Sequence, residues 1–513
     1  MQAINANAMN FFRVLSCLSW LKRIPPLSVT DTLAKKGCKK RIRGLQLFFY
    51  ILDEKMSVFR PYFVGAMMSD FLSQLSAFAP AVRRNALENL AAGTVFPPES
   101  QDMNMHIHTF FSYNGEGWSP SRVAFEMKKL GLYSAAICDF DVLQGLDEFL
   151  AAADLLRLRS AVAFESRVFF QEYADKEINS PGEPGVFYFM GMGFVIPPFK
   201  GSKAAEVFNE MLKQSHVRNR NLISRVNAHL KPMALDYEKD VLPLTPDQNA
   251  TERHIVLAFY QKALDFFGSP EKAIEFWAAA FKTDLQELSE KSKNSNAFQE
   301  FLRSKLMKRG GLGYEQPTPK TFPALDTVIA MIRKCRAIPM SAWLDGSLPG
   351  EQNPVEQLEC LLSKNVEAVN IIPDRNWNFK DPDVQKQKIL ELDRYMQAAQ
   401  KLDLPVNIGT EGNKPGQRLV DDLNAQAVMR YRPVFLQGAQ IMVGHTRLLR
   451  FADFSYIDEK AQSLFPERRR RNAFFAAVGA LPAPDQNTLH KLQDMQAEKA
   501  FAFLSDCAAK QAW

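Results

Sequence analysis

The sequence predicts an α/β fold: a distorted TIM-like barrel of about seven strands, interrupted by a helical insertion and carrying helical termini. Three observations predict it. Between residues 101 and 199, short apolar strands alternate with helical patterns, and successive strands end in His106 and His108, in Asp139 and Asp141, and in Glu165. The carboxyl ends of strands are where α/β barrels keep their sites. Residues 200–321 are helical in pattern almost throughout, and strand–helix alternation then resumes to about residue 450.

A chain of 513 residues is long enough for two or more structural units. We divide it into a basic extension (1–66), leading helices (67–100), a first barrel part (101–199), an insertion (200–321), a second barrel part (322–450) and C-terminal helices (451–513). Six cysteines, Cys17, Cys38, Cys138, Cys335, Cys360 and Cys507, are scattered without a Cys-x-x-Cys pair. That favours a reducing, cytoplasmic setting over a disulfide framework or a structural zinc site.

The formal charge of +6 sits unevenly: residues 1–66 hold eleven Lys/Arg against three Asp/Glu, which leaves the remainder at −2. The globular part therefore gives no electrostatic reason to expect nucleic acid. In the extension, a basic run at 39–43 lies between apolar pieces at 11–21 and 45–52. Neither piece approaches the ~20 residues of a membrane span, and the charge follows the apolar piece, the wrong order for a secretory signal. A peripheral arm, a targeting segment and translation from upstream of the true start compete; we read 1–66 as artefactual or dispensable. Residues 70–92 have the spacing of helices that cap the barrel.

The first strand, around MNMHIHT (103–109), alternates apolar and polar positions. Positions i and i+2 of a strand share a face, so His106 and His108 project together, as a metal ion needs. The plainer alternative is two unrelated polar residues on a half-exposed strand. Ser119-Pro120 is an N-cap with proline at the first helical position, and that helix stops at Gly131. A second strand (133–138) leads to Asp139 and Asp141, a helix spans 142–157, and a third strand (161–164) ends in Glu165. The Pro/Gly-rich stretch 179–185 is either a plain turn or a substrate-facing loop, and a strand follows at 186–195.

Helices of the insertion fall at 204–214, 216–228, 251–267, 270–281, 284–291 and 297–308. Arg218, Arg220, Arg253 and His254 are its candidates for contact with an anion; surface charges plus a helix histidine are the alternative. Strands then fall at 337–343, 366–372 and 404–408, each after a helix, and Arg375 and Lys414 follow strand ends, where they could hold an anionic group. The basic patch 468–471 reads as a solvated helix face. No internal repeat, P-loop, dinucleotide fingerprint or serine-nucleophile elbow is present.

The run His106-x-His108-Thr109, a helix opening near Ser119-Pro120, Asp139-Phe140-Asp141 and then Glu165 resembles the PHP (polymerase and histidinol phosphatase) superfamily of metal-dependent phosphoesterases. Residues 105–165 match well and the likeness continues loosely to about 446, with a general similarity to bacterial proteins carrying this domain. The resemblance implies a PHP-like barrel and up to three metals. It implies that one ligand set survives as His106, His108, Glu165 and Glu411. It also implies that the other two metal sites have lost histidines to Phe140, Tyr188, Trp343 and Asn413. Some relatives carry a helical insertion over the site.

Two imidazoles and two carboxylates suit one Zn, Mn or Fe ion per chain, with an open position for water. Asp139 is placed to take a proton from that water or orient it, and Arg375 and Lys414 to hold a phosphate. Tyr188, Trp343, Asn413, Arg253 and His254 would then line the substrate pocket. The expected function is hydrolysis of a small anionic substrate, most readily a phosphate ester. The alternative is a barrel without turnover that binds a ligand or partner.

Overall fold

The computed structural model describes residues 68–513; the expectation for residues 1–66 lies outside them. Seven strands form one sheet in sequence order: β1 Met103–Ile107, β2 Ser134–Phe140, β3 Arg159–Phe169, β4 Val186–Met192, β5 Ile338–Ala342, β6 Ala368–Ile371 and β7 Val406–Ile408. β1, β2 and β3 pair in parallel, as do β5, β6 and β7. A parallel bridge from Ile107 to Glu411 joins β1 to the segment after β7 and draws the sheet into a distorted TIM-like barrel.

β4 is the distortion, because it runs antiparallel to both β3 and β5. Its link from β3 holds only the one-turn helix Gln171–Tyr173 and turns, with no helix to make the crossover a parallel partner needs. Asn179 pins this link: its Nδ2 donates to the carbonyls of Tyr188 and Ala342, and its Oδ1 accepts from Tyr188 N–H. The reversed strand delivers the chain to the face opposite its neighbours' carboxyl ends. Helix Lys203–His229 then returns it along the barrel's flank. Its 27 residues span about 40 Å at 1.5 Å per residue.

The insertion has its own apolar core, built on Phe259, Trp277, Leu288 and Leu302. Asn249 fastens it over the barrel mouth by donating to the carbonyls of Phe111 and Phe140. Helix Pro80–Gly93 is a leading helix, as the sequence predicts. It packs on the outer helices Pro120–Lys129 and Leu146–Leu156, where buried Arg83 reaches Glu148 at 2.9 Å.

The far end is closed by helix Arg432–Ala452, at the close of the barrel's second part. It packs against β7, β1 and β3. Gly438 permits the approach, since a Cβ there would lie 1.9 Å from the Val406 carbonyl oxygen. His445 is fully buried; Tyr456 N–H donates to its Nδ1 at 3.2 Å, so Nε2 carries the proton, 3.2 Å from Gly193 O. Helix Arg468–Ala480 crosses this helix where Gly444 and Gly479 meet. The basic patch is only half solvated: Arg468 and Arg471 both reach Glu367, at 3.1 and 3.2 Å, while Arg469 and Arg470 face outward. Among the described residues no helix is long and apolar enough to cross a membrane, and Cys138, Cys335, Cys360 and Cys507 are free thiols.

Two consequences can be measured. A Cβ at Gly479 would lie 1.8 Å from Gln440 O; Gly479→Ala should therefore cost roughly 1–3 kcal/mol by overpacking, read as a melting temperature several degrees lower. Burial pushes the pKa of His445 down to about 4. Below its ordinary pKa of about 6.5 the unfolded chain takes up a proton that the folded chain refuses. Stability from this group is thus full above about pH 6.5 and falls as the pH drops toward 4. His445→Gln should flatten the melting-temperature profile across that window; an unchanged slope would contradict the assignment.

Candidate metal centre and cleft

β1 brings His106 to its carboxyl end and His108 just past it, while β3 places Glu165 opposite Phe140 of β2 and Met190 of β4. The three side chains meet: Glu165 Oε2 is 3.4 Å from His106 Nε2 and 3.3 Å from His108 Nε2. All three are buried, and one ligand atom from each lies within 4.8 Å of the others. Neither Nε2 atom has a hydrogen-bond partner among the described residues. Orphaned polar atoms in a buried site are costly, and two of them converging on a carboxylate is an arrangement that can hold a metal ion.

Each ring is held from behind. Ser112 Oγ donates to Asp139 Oδ1 at 2.6 Å and lies 3.1 Å from His108 Nδ1. The serine proton is thus used on the aspartate, so His108 donates through Nδ1 and keeps a lone pair on Nε2. His106 Nδ1 lies 3.2 Å from the amide of Asn370, which is joined to Asn407 at 2.8 Å. Phe140 stacks on His108, ring centroids 4.6 Å apart. Burial opposes charge on His106, but Cys138 and Glu165 beside it outweigh that and hold its pKa well above the usual value. Burial likewise opposes charge on Glu165, yet the two histidines bring its pKa down to about 2.

The cluster opens into a cleft of about 480 Å³, walled by strand ends on one side and by the insertion on the other. Glu411 reaches the site by its backbone: its N–H donates to His106 O at 2.8 Å and its carbonyl accepts from His108 N–H at 2.7 Å. Its carboxylate does not join the three ligands. A backbone φ of +69° turns the residue, and the side chain accepts from Asn413 Nδ2 at 3.1 Å instead.

Asp139 is behind His108 and not on the cleft wall. Besides Ser112 it accepts from Thr109 N–H and Thr109 Oγ1, both at 2.7 Å, and burial raises its pKa. Asp141 faces the cleft in its place, with φ +61° and a 2.5 Å hydrogen bond from Ser166. Tyr188, Trp343, Asn413, Arg253, Arg375 and Lys414 all line the cleft. Trp343 stacks on Tyr395 at 4.3 Å, and Arg253 pairs with Glu300. Burial lowers the pKa of Lys414 despite Glu300 and Glu411 nearby. His254 is elsewhere: its Nδ1 accepts from Thr251 N–H in a capping box at the start of helix Glu252–Phe267, and burial drives its pKa to about 3. It serves the helix end and not the pocket.

Sequence reasoning missed Asn370, whose only signal was a polar residue inside the four-residue buried strand β6. It also missed the ion-pair chain that bolts the insertion to the barrel. Arg167 on β3 pairs with Glu183 and Glu252, and Glu252 pairs in turn with Arg303 and Lys308. Burial opposes charge on Glu252, but these cations hold its pKa well below the usual range.

No family model matches the chain, and no curated protein matches it. Among solved structures it is similar to a protein of Bifidobacterium adolescentis assigned as a metal-dependent phosphoesterase, at 18% identity and a TM-score of 0.42, over 65% of this chain and 97% of that one. It is also similar to an amidohydrolase from Chromobacterium violaceum, determined with bound sulfate and no metal, at 13% identity and a TM-score of 0.42, over 65% of this chain and 96% of that one. At this distance the likeness assigns no chemistry to the chain.

Proposed function

We propose that the chain is a metal-dependent hydrolase of the PHP type, working through a single divalent cation on a small anionic substrate, most readily a phosphate ester. The observation that carries this reading is the pair of buried, unpartnered Nε2 atoms of His106 and His108 facing Glu165. A divalent ion held there would bring the pKa of a bound water from 15.7 down to about 7. The chain's own residues do the rest. His106, His108 and Glu165 are the ligands; Asn370 and the Ser112–Asp139 pair fix the rings. Asp141 and Glu411 face the cleft without an ion pair among the described residues, and either can accept a proton from the attacking water. Arg375 and Lys414 are likewise unpaired and suit a phosphate group.

A second reading is a barrel that binds without turnover. It is favoured by the aromatic rings of Phe140 and Trp343, which stand where the sequence resemblance leads one to expect ligands, and by the side chain of Glu411, which stays outside the cluster. Phosphoryl transfer usually gains from more than one cation.

Metal content by mass spectrometry separates the two. The native protein should hold about one Zn, Mn or Fe ion per chain and hydrolyse a phosphomonoester such as p-nitrophenyl phosphate. Glu165→Gln should lose the ion and fall to background, because an amide carries no charge to offset the cation. Two or more ions per chain would remove the single-site reading. Full metal content or activity in Glu165→Gln would remove the ligand assignment. No ion at any reasonable concentration would favour the binding reading.

A further inference from the structure

The cations of the cleft fall into two kinds. Arg167, Arg253, Arg303 and Lys308 are paired with Glu183, Glu252 or Glu300. Arg218, Arg375 and Lys414 line the same space and form no ion pair among the described residues. These three are not together. Arg375 and Lys414 follow β6 and β7, whereas Arg218 is on the opposite wall, carried there by helix Lys203–His229.

The order across the cleft follows from backbone contacts. Arg218 shares the ring of Phe322 with Arg167, two residues past Glu165 on β3. Asp141 N–H donates to Glu165 O at 2.8 Å, and Glu165 meets both histidines. On the other side Glu411 is tied to His106 and is three residues from Lys414. The cluster therefore lies between the two unpaired cationic groups.

The protein itself uses little of Arg218. The guanidinium packs over Phe322 at 4.6 Å and donates once, from Nη1 to Thr321 O at 2.7 Å. Its other donors have no protein acceptor among the described residues. Ser215, one turn earlier, lines the same space with a hydroxyl that makes no hydrogen bond among the described residues. Asn219 holds this stretch of helix in place by donating to Ala250 O at 2.7 Å. Burial brings the pKa of Arg218 down to about 10, although Asp141 nearby favours its charge. A guanidinium with open donors can donate charge-assisted hydrogen bonds to an anion, and a single small anion at Lys414 would leave those donors unused.

We propose that the cleft takes a substrate with two separate anionic groups, one held by Arg375 and Lys414, the other by Arg218 and Ser215, with the His106–His108–Glu165 cluster between them. This rests on reading that cluster as the reaction centre. A cleft of about 480 Å³ is in the size range of small-molecule sites.

The test uses non-hydrolysable probes on the full, metal-loaded protein: methylphosphonate and alkylene bisphosphonates with three to eight methylenes, titrated by calorimetry. One spacer length should bind at least about tenfold tighter than methylphosphonate, the scale of one or two charge-assisted hydrogen bonds. Arg218→Gln should remove that gain and leave methylphosphonate binding in place; Arg218→Lys should keep part of it. Ser215→Ala, which leaves the contacts of Arg218 untouched, should reduce the gain several-fold and serves where Arg218→Gln melts too low to assay. No gain at any length, or a gain that survives both Arg218→Gln and Ser215→Ala, overturns the proposal. If the gain is absent while metal content and hydrolysis persist, the two-ended substrate fails and the reaction centre stands. If the gain persists in a protein that takes up no metal and shows no hydrolysis, the reaction centre fails and the two-ended pocket stands.

Discussion

One reversed strand sets the geometry of everything around it. Because β4 runs against β3 and β5, the chain leaves the barrel at the face away from the cleft. A long helix has to bring it back, and that helix becomes a wall of the cleft. The insertion is thereby tied to the barrel at both ends and along its side. Its ionic chain through Arg167, Glu252, Arg303 and Lys308 is internal to the wall, so few of its charges remain for a ligand. The unpaired cations stand out against that background because most of their neighbours are already neutralised.

Within the cluster, burial and charge act against each other. Two imidazoles and one carboxylate are stable together without water only if they share protons or hold a cation. The supporting groups differ: a hydroxyl relayed to a carboxylate steadies His108, and a pair of amides steadies His106. Packing completes the arrangement. Phe140 covers the face of His108.

Much of this was legible in the sequence. Strand-end placement of His106, His108 and Glu165 follows from side-chain periodicity, and the structure unites those three. Asp139 shows the limit of the same rule. Alternation along β2 puts Asp139 and Phe140 on opposite faces, and the phenyl ring, not the carboxylate, is the one that enters the cleft. Asp141 returns to it only through a left-handed backbone turn, which no pattern of residue types announces. Glu411 differs for a related reason: its backbone is placed by the barrel closure, but its side chain faces the cleft without joining the three ligands. His254 has the composition of a site residue and the position of a helix cap. The direction of β4 was not readable because an apolar strand looks the same in either orientation.

The closure between β1 and the segment after β7 also bears on how the chain is made. Asn104 of β1 bonds Thr410, 306 positions downstream. Until that far segment emerges from the ribosome, the strand that carries the histidines has one open edge. The helix that seals the barrel's far end comes later still, at Arg432–Ala452. Exposed strand edges invite pairing with other chains. Synthesis of this protein therefore passes through a long interval in which a strand buried along its whole length in the finished barrel is left with an open edge, an interval in which chaperones that shield apolar edges have the most to offer.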